Sequence, residues 1–292
     1  MIYEVRHRTT YVYEDEVTFA RCALRLTPRL SAVQTVMEST VSVLPAPAQT
    51  QRRIGPFGEQ VLTVVVETPH KELVIEARSR VDVHAPPVEI SPSESWETVR
   101  QAALSADSLG PESPASFLYP TRRTPITPTI TDYARQSFNA GRPIVEAAAE
   151  LMSRINRDFI YDGDATDVST PPAEAFAARR GVCQDFAHIM ICALRGLGLP
   201  AGYVSGYLRT NPPPGGQRLE GADATHAWVS AWCGADRGWI GFDPTNALLV
   251  QNSHIILATG RDYADVAPID GIILAPGEQT LKVEVDVKPL GE

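Results

Sequence analysis

The segment from Gly181 to Pro200 limits the possible folds of this chain more than any other. From Cys183 to Leu197 it places Phe186, Ala187, Ile189, Met190, Ile191, Ala193, Leu194 and Leu197 at helical spacing, before Gly196, Gly198 and Pro200 stop the helix. At about 100° per residue these side chains cover the helix nearly all round, so it has no solvent face and belongs in the middle of a domain. A chain of 292 residues, 43% hydrophobic and 21% charged, is able to pack such a helix on every side and is globular rather than disordered. The formal net charge of −9 argues against a phosphate-binding surface, so no nucleic acid partner is expected. No run approaches the ~20 apolar residues of a membrane span, and the first residues lack the apolar stretch of a signal peptide. The expectation is a cytoplasmic protein without a membrane partner, whose four scattered cysteines, Cys22, Cys183, Cys192 and Cys233, are reduced.

Around that helix the chain divides by composition. Apolar and polar residues alternate over Tyr3 to Tyr13, Thr35 to Val43, Gln60 to Val66 and Leu73 to His84, punctuated by Pro28, Pro45, Pro47, Gly55 to Gly58 and Pro69. This pattern predicts an N-terminal antiparallel β-sandwich over residues 1–85. Residues 86–130 shift to Pro, Ser and Glu, with one short helix around Trp96 to Ala106, and read as a proline-rich linker. In residues 131–292 helices come first: Thr131 to Phe138, Pro143 to Phe159, one opened by the Thr170 hydroxyl with Pro171 and Pro172 and ended by Gly181, then Cys183 to Leu197. Strands follow at Ala201 to Leu208, Thr225 to Cys233, Trp239 to Phe242 and Gln279 to Val287, which makes the expected class α+β.

Three residues from three of these elements converge in this reading. Cys183 opens the buried helix, where the backbone dipoles favour a thiolate, on the stripe with Phe186, Ala187, Met190, Leu194 and Leu197 that should face the sheet. The strand from Thr225 places His226, Trp228, Ser230 and Trp232 on one face. The hairpin-sized connection Gly234 to Gly238 returns the chain alongside it and delivers Asp243 close to His226. A thiol, an imidazole to move its proton and a carboxylate to hold the imidazole tautomer are the parts of a nucleophilic acyl-transfer site.

The segments Gly181-Val182-Cys183-Gln184-Asp185-Phe186-Ala187-His188, Thr225-His226-Ala227-Trp228 and Gly241-Phe242-Asp243-Pro244-Thr245-Asn246 resemble the Cys, His and Asp motifs of the transglutaminase-like superfamily of papain-fold enzymes. The resemblance extends through Arg195 to Leu208 and through Gly260-Arg261-Asp262-Tyr263 with Asp265-Val266. His7 to Tyr13 and Leu24 to Arg29 resemble the bacterial transglutaminase-like N-terminal domain, and Gly55-Pro56-Phe57-Gly58-Glu59 departs from its pattern of Asp first and Asn last. The resemblance implies a papain-like core with the Cys helix central on an antiparallel sheet. It makes Cys183 the nucleophile, His226 the base and then acid, and Asp243 the orienting carboxylate. Tyr161, upstream of the nucleophile as in related enzymes, is a candidate oxyanion donor, and Gln184 and Trp228 are further oxyanion or substrate candidates. The expected reaction is hydrolysis of a peptide or small amide through an acyl-enzyme, without a cofactor. Amine acyl transfer and a non-catalytic scaffold are the alternatives.

Plainer explanations compete for several residues. A buried helix cysteine is by default a small inert hydrophobe, which suits Cys22, Cys192 and Cys233. A zinc site from Cys183, His188 and Cys192 fails because Cys183 and Cys192 point about 180° apart on one helix, so no metal is expected. His188 fits a satisfied core or pocket histidine, and Asp185 in the first helical turn fits a backbone cap. Trp228, Trp232 and Trp239 fit core packing as well as the walls of a cleft. The Asn211 to Gly216 segment reads as a surface loop that could border the cleft, and neither it nor the isolated Asp223 offers an acidic cluster for a cationic amine.

Overall fold

The computed structural model describes residues 1–90, 92–209, 224–275 and 277–291. The first stretch carries β1 (Ile2–Val17), β2 (Ala20–Leu24), β3 (Gln34–Leu44), β4 (Gln49–Ile54), β5 (Gln60–Val66) and β6 (His70–Val83). Then come α1 (Trp96–Leu104), α2 (Pro128–Arg135), α3 (Ile144–Asp158), β7 (Ile160–Tyr161), α4 (Pro172–Ala178), β8 (Arg180–Gly181) and α5 (Cys183–Gly196). The remainder is β9 (Ala201–Leu208), β10 (Ala224–Trp232), β11 (Trp239–Asp243), β12 (Leu248–Leu249), β13 (His254–Gly260), α6 (Tyr263–Val266), β14 (Ile269–Ile273) and β15 (Gln279–Leu290). The expected loop Asn211 to Gly216, and Asp223, lie outside the described residues. Among the described residues no helix is long and apolar enough to cross a membrane.

The architecture mixes helices with antiparallel sheets. In β1 the pleat buries Tyr3, Val5, His7 and Thr9 and leaves the residues between them more exposed, the two-residue period read from the sequence. Two four-stranded sheets, ordered β15-β1-β6-β3 and β14-β2-β5-β4, contribute to one apolar cluster that includes Tyr13, Leu24, Val43, Val64, Leu73 and Ile75. Both sheets use strands from the far end of the chain. The run expected to stay with the second half, β15, pairs with β1 from Ile2↔Leu290 to Tyr13↔Gln279, and β14 pairs with β2. Alternation marks a segment as a strand without naming its partner, and the partner here lies almost a whole chain away. The turn that departs from the family pattern closes all the same: Gly55 N–H donates to Glu59 O at 2.8 Å and Phe57 N–H to Glu59 Oε2 at 3.1 Å.

A five-stranded sheet, β12-β11-β10-β9-β13, carries the second half. On α5 every residue from Gln184 to Arg195 is buried, as the all-round apolar pattern requires, and the helix packs on β9 and β10 as well as on α2, α3 and α4. The proline-rich stretch is held down along its length. Val99, Ala103 and Phe117 are buried, and the Phe117 ring meets Phe57 at 5.1 Å and Trp239 at 4.9 Å. Arg195 on α5 ties this stretch to the core, donating to Phe117 O, Thr124 Oγ1, Ala201 O and Arg261 O at 2.7 to 3.2 Å. The start of α4 differs from expectation. Its N-cap is Pro171, without a side-chain cap, and the Thr170 hydroxyl instead accepts from Asp167 N–H at 3.0 Å.

Candidate active site

The thiol of Cys183 sits at the first turn of α5, half-buried while the other three cysteines are buried. Its turn is fixed from below by Asp185, whose Oδ2 accepts from Val182 N–H at 2.8 Å and from the Thr166 hydroxyl at 2.6 Å. The close approach requires glycine at 181, where a Cβ would fall 2.5 Å from that same oxygen. Burial raises the Asp185 carboxyl above the usual carboxylate range, and the two hydrogen bonds oppose that rise. Asp185 is therefore the cap that its place in the first turn suggested.

His226 on β10 brings the other two expected residues together. Its Nε2 lies 2.8 Å from Asp243 Oδ2, which leaves Nδ1 as the ring atom for Cys183, whose side chain is near enough to raise the imidazole pKa. Asp243 stands at the end of β11, where the short hairpin aligns Val229 with Phe242. The turn behind it is anchored from α3 by Asn156 Nδ2 donating to Thr245 O at 2.7 Å. Thr245 N–H and Asn246 N–H donate to Asp243 Oδ1 at 3.0 and 3.2 Å, and Asn246 Nδ2 donates to Oδ2 at 2.8 Å. Burial pulls the His226 pKa down, but the hydrogen bond to Asp243 and then the nearness of Cys183 outweigh it and lift the imidazole to about 9. Burial likewise opposes ionisation of Asp243, yet donation from His226 and His254 holds its carboxyl well below the usual carboxylate range.

The remaining candidates divide. Tyr161, pinned beside Gly181 by the β7–β8 pair, is exposed, and burial of its surroundings and then the nearness of Cys183 raise its hydroxyl pKa. Gln184 donates through Nε2 to Val168 O at 3.2 Å. Trp228 is 1% exposed and lies with its ring 6.0 Å from that of His226 and 5.1 Å from that of His254. The indole passes over β9 because position 206 is glycine, where a Cβ would come within 2.5 Å of Trp228 Cη2. A cavity of about 680 Å³, bounded by Trp228 and Trp239, touches none of Cys183, His226 and Asp243. Trp232 packs on the core, and Trp239 Nε1 donates to Glu112 O at 2.9 Å. His188 is a satisfied histidine whose Nε2 accepts from Tyr263 N–H at 3.2 Å.

His254 is the residue of this cluster that the sequence reading missed. It heads β13, an apolar run without alternation, and its Nε2 lies 3.2 Å from Asp243 Oδ2. A buried apolar strand opened by a histidine, following the Asp-Pro-Thr-Asn turn, is the signal that could have found it. His226, Asp243 and His254 offer ligand atoms within 4.8 Å of one another, a set a metal ion could use, and here these atoms are hydrogen-bonded among themselves.

Residues 3–82 match the bacterial transglutaminase-like N-terminal region, and residues 131–244 match the transglutaminase-like superfamily core. The chain belongs to the transglutaminase-like superfamily. It is 43% identical to the uncharacterized protein Rv2569c of Mycobacterium tuberculosis, over 98% of this chain and 92% of that one. A partial relative, a protein-glutamine gamma-glutamyltransferase of Pseudomonas aeruginosa, is 30% identical over 57% of this chain and 26% of its own length. A solved structure described as a "putative cysteine protease" from Cytophaga hutchinsonii shares the fold with a TM-score of 0.78 at 21% identity, covering 100% of this chain and 92% of that one.

Proposed function

We propose that the protein is a thiol-dependent acyl-transfer enzyme that opens an amide or peptide bond through an acyl-enzyme and passes the acyl group to water. In this reading the two four-stranded sheets are the expected β-sandwich, and α5 is the central helix of a papain-like core. The proton rests on His226 and Cys183 attacks the carbonyl carbon. The oxyanion meets the Cys183 N–H, one of the helix-start donors without an intrahelical partner, and the Tyr161 hydroxyl. His226 gives its proton to the leaving amine, then takes one from the water that releases the acid, while Asp243 keeps Nε2 as the ring's other N–H. Nucleophile, base and donors are all groups of the chain, so the scheme needs no cofactor.

The observation that carries this reading is the position of His226, hydrogen-bonded to Asp243 at 2.8 Å, with its pKa lifted to about 9 by Asp243 and then by the nearby Cys183. Water as acceptor is supported by the half-exposed thiol beside the exposed Tyr161. A second reading, transfer to an amine, is favoured by the 30% identity, over 57% of this chain, to a protein-glutamine gamma-glutamyltransferase. Wild-type and Cys183→Ala protein are incubated with a library of peptides and small amides, with and without a millimolar primary amine, and products are read by mass spectrometry. The proposal expects carboxylic acid and a transient acyl adduct on Cys183 from the wild type alone. A dominant amine adduct at low amine concentration replaces hydrolysis by transamidation. A Cys183→Ala protein as active as the wild type removes the thiol from the chemistry.

A further inference from the structure

Asp243 is shared between two imidazoles. Its Oδ2 receives His226 Nε2 at 2.8 Å and His254 Nε2 at 3.2 Å, and His254 is 2% exposed, so water does not compete for that contact. The two histidines come from different parts of the sheet: β10 lies next to β11, whereas β9 and β10 both stand between β13 and β11. A carboxylate accepts and does not donate, so His254 donates through Nε2–H and its Nδ1 is left to accept from the Ser253 hydroxyl at 3.3 Å. The same logic makes His226 a donor at Nε2, which leaves Nδ1 to the thiol.

We propose that His254 is a positioning residue of the Cys183 site: through Nε2–H it locks the Asp243 carboxylate in the rotation that keeps Oδ2 on His226. The inference rests on the acyl-transfer reading above. The torsion of an aspartate carboxylate is soft and broad, so a group aimed at a neighbouring ring needs both oxygens held. The turn holds Oδ1 through Thr245 and Asn246 N–H, and His254 with Asn246 Nδ2 holds Oδ2. His254 also backs the Trp228 ring, which in turn lies against His226, so one residue fixes both the acceptor and the flank of the same imidazole. In chemical effect this is the second-layer orientation that keeps a general base within the narrow geometry proton transfer requires.

The test uses p-nitrophenyl acetate, an activated ester that reports acylation of a thiol and its release. Wild type, Cys183→Ala, His254→Phe, His254→Asn and His254→Gln are compared for kcat and KM, with folding checked by thermal melting. Glutamine carries an N–H where histidine carries Nε2 and asparagine carries one only as far out as Nδ1. Phenylalanine and asparagine variants are therefore expected to lose about 10- to 100-fold in kcat at nearly unchanged KM, with glutamine recovering to within a few-fold of wild type. A folded His254→Phe protein turning over at the wild-type rate overturns the inference. So do glutamine and asparagine variants impaired equally, since that result marks a packing role alone. Turnover that survives in Cys183→Ala, or wild type with none above it, defeats the acyl-transfer reading and this inference with it.

Discussion

His7 and His226 are imidazoles of nearly equal burial, 2% and 8% exposed, each on an interior strand of its sheet, and they are displaced in opposite directions. His7, on β1, faces hydroxyls: Tyr207 Oη at 2.9 Å from Nδ1 and Thr9 Oγ1 at 3.0 Å from Nε2. With no charge to oppose it, burial pulls the His7 pKa down to about 4, and the ring stays neutral. His226 meets a carboxylate and a thiol and rises to about 9. The cysteines divide by position in the same way. Cys22, Cys192 and Cys233 are buried and pushed up to about 11, 12 and 12, mainly by burial, whereas Cys183 alone is half-exposed and near enough to His226 to raise its pKa. Burial by itself lowers the pKa of an imidazole and raises that of a thiol; the neighbours the fold supplies to His226 reverse the sign.

The strongest way to break this contrast is to neutralise the neighbour. Asp243→Asn is expected to leave the fold intact, at a lower melting temperature, and to cut turnover of the folded protein by about 10⁴-fold, because the amide allows the wrong imidazole tautomer. Near-normal turnover in this variant would place His226 with the inert histidines. In the rest of the molecule the analogous test is Arg195→Met, which leaves the carbonyls of Phe117, Ala201 and Arg261 without their donor. It is expected to cost roughly 3 kcal/mol in denaturant unfolding, with little change in the activity of the folded fraction. Loss of activity without loss of stability would show that Arg195 serves the site.

pH separates the two histidines by sign. The folded pKa of His7, about 4, lies below the unfolded value near 6.5, so its contribution is present above about pH 6.5 and is lost as pH falls through 4. It amounts to about 3 kcal/mol, and His7→Gln is expected to flatten the acid limb of unfolding free energy against pH by that order. For His226 the folded pKa is raised, so its contribution is complete below about pH 6.5 and disappears as pH rises through 9. Acylation, which needs its proton for the leaving group, is expected to decline above pH 9. An acid limb unaltered by His7→Gln would break the comparison at its uncharged end.

The smallest expected effect concerns the thiols. At pH 6.5, iodoacetamide is expected to alkylate Cys183 at least about tenfold faster than Cys22, Cys192 or Cys233 in folded protein, and His226→Ala is expected to slow it. Peptide mapping of the labelled protein reads both, and equal labelling of all four sulfurs would defeat the idea of an activated thiol.

What the sequence disclosed follows from which interactions are local. The buried helix from Cys183, and the strands Gln60–Val66 and Ala201–Leu208, are found where periodicity places them, because helix and strand periods are written in consecutive residues. His226 and Asp243 were legible because one short hairpin joins them. β4 went unseen: all of Gln49–Ile54 is exposed, and it pairs only with β5 at a sheet edge, so no apolar alternation marks it. The stretch 86–130 reads as a linker because its prolines break periodicity, yet Phe117 and Arg195 show it fastened to the core by contacts between distant residues. His254 was missed for the same reason, since its meeting with Asp243 depends on where β13 sits in the sheet.

The pairing of β15 with β1 also sets an order for biosynthesis. As the chain leaves the ribosome, β1 finds β6 well before β15 exists, so its other edge stays open while the intervening segments are made. Only when Gln279–Leu290 has cleared the exit tunnel is that edge covered. A nascent chain therefore carries an unpaired strand edge that invites association with its neighbours on a polysome, and its escape from aggregation is decided by the arrival of Gln279–Leu290.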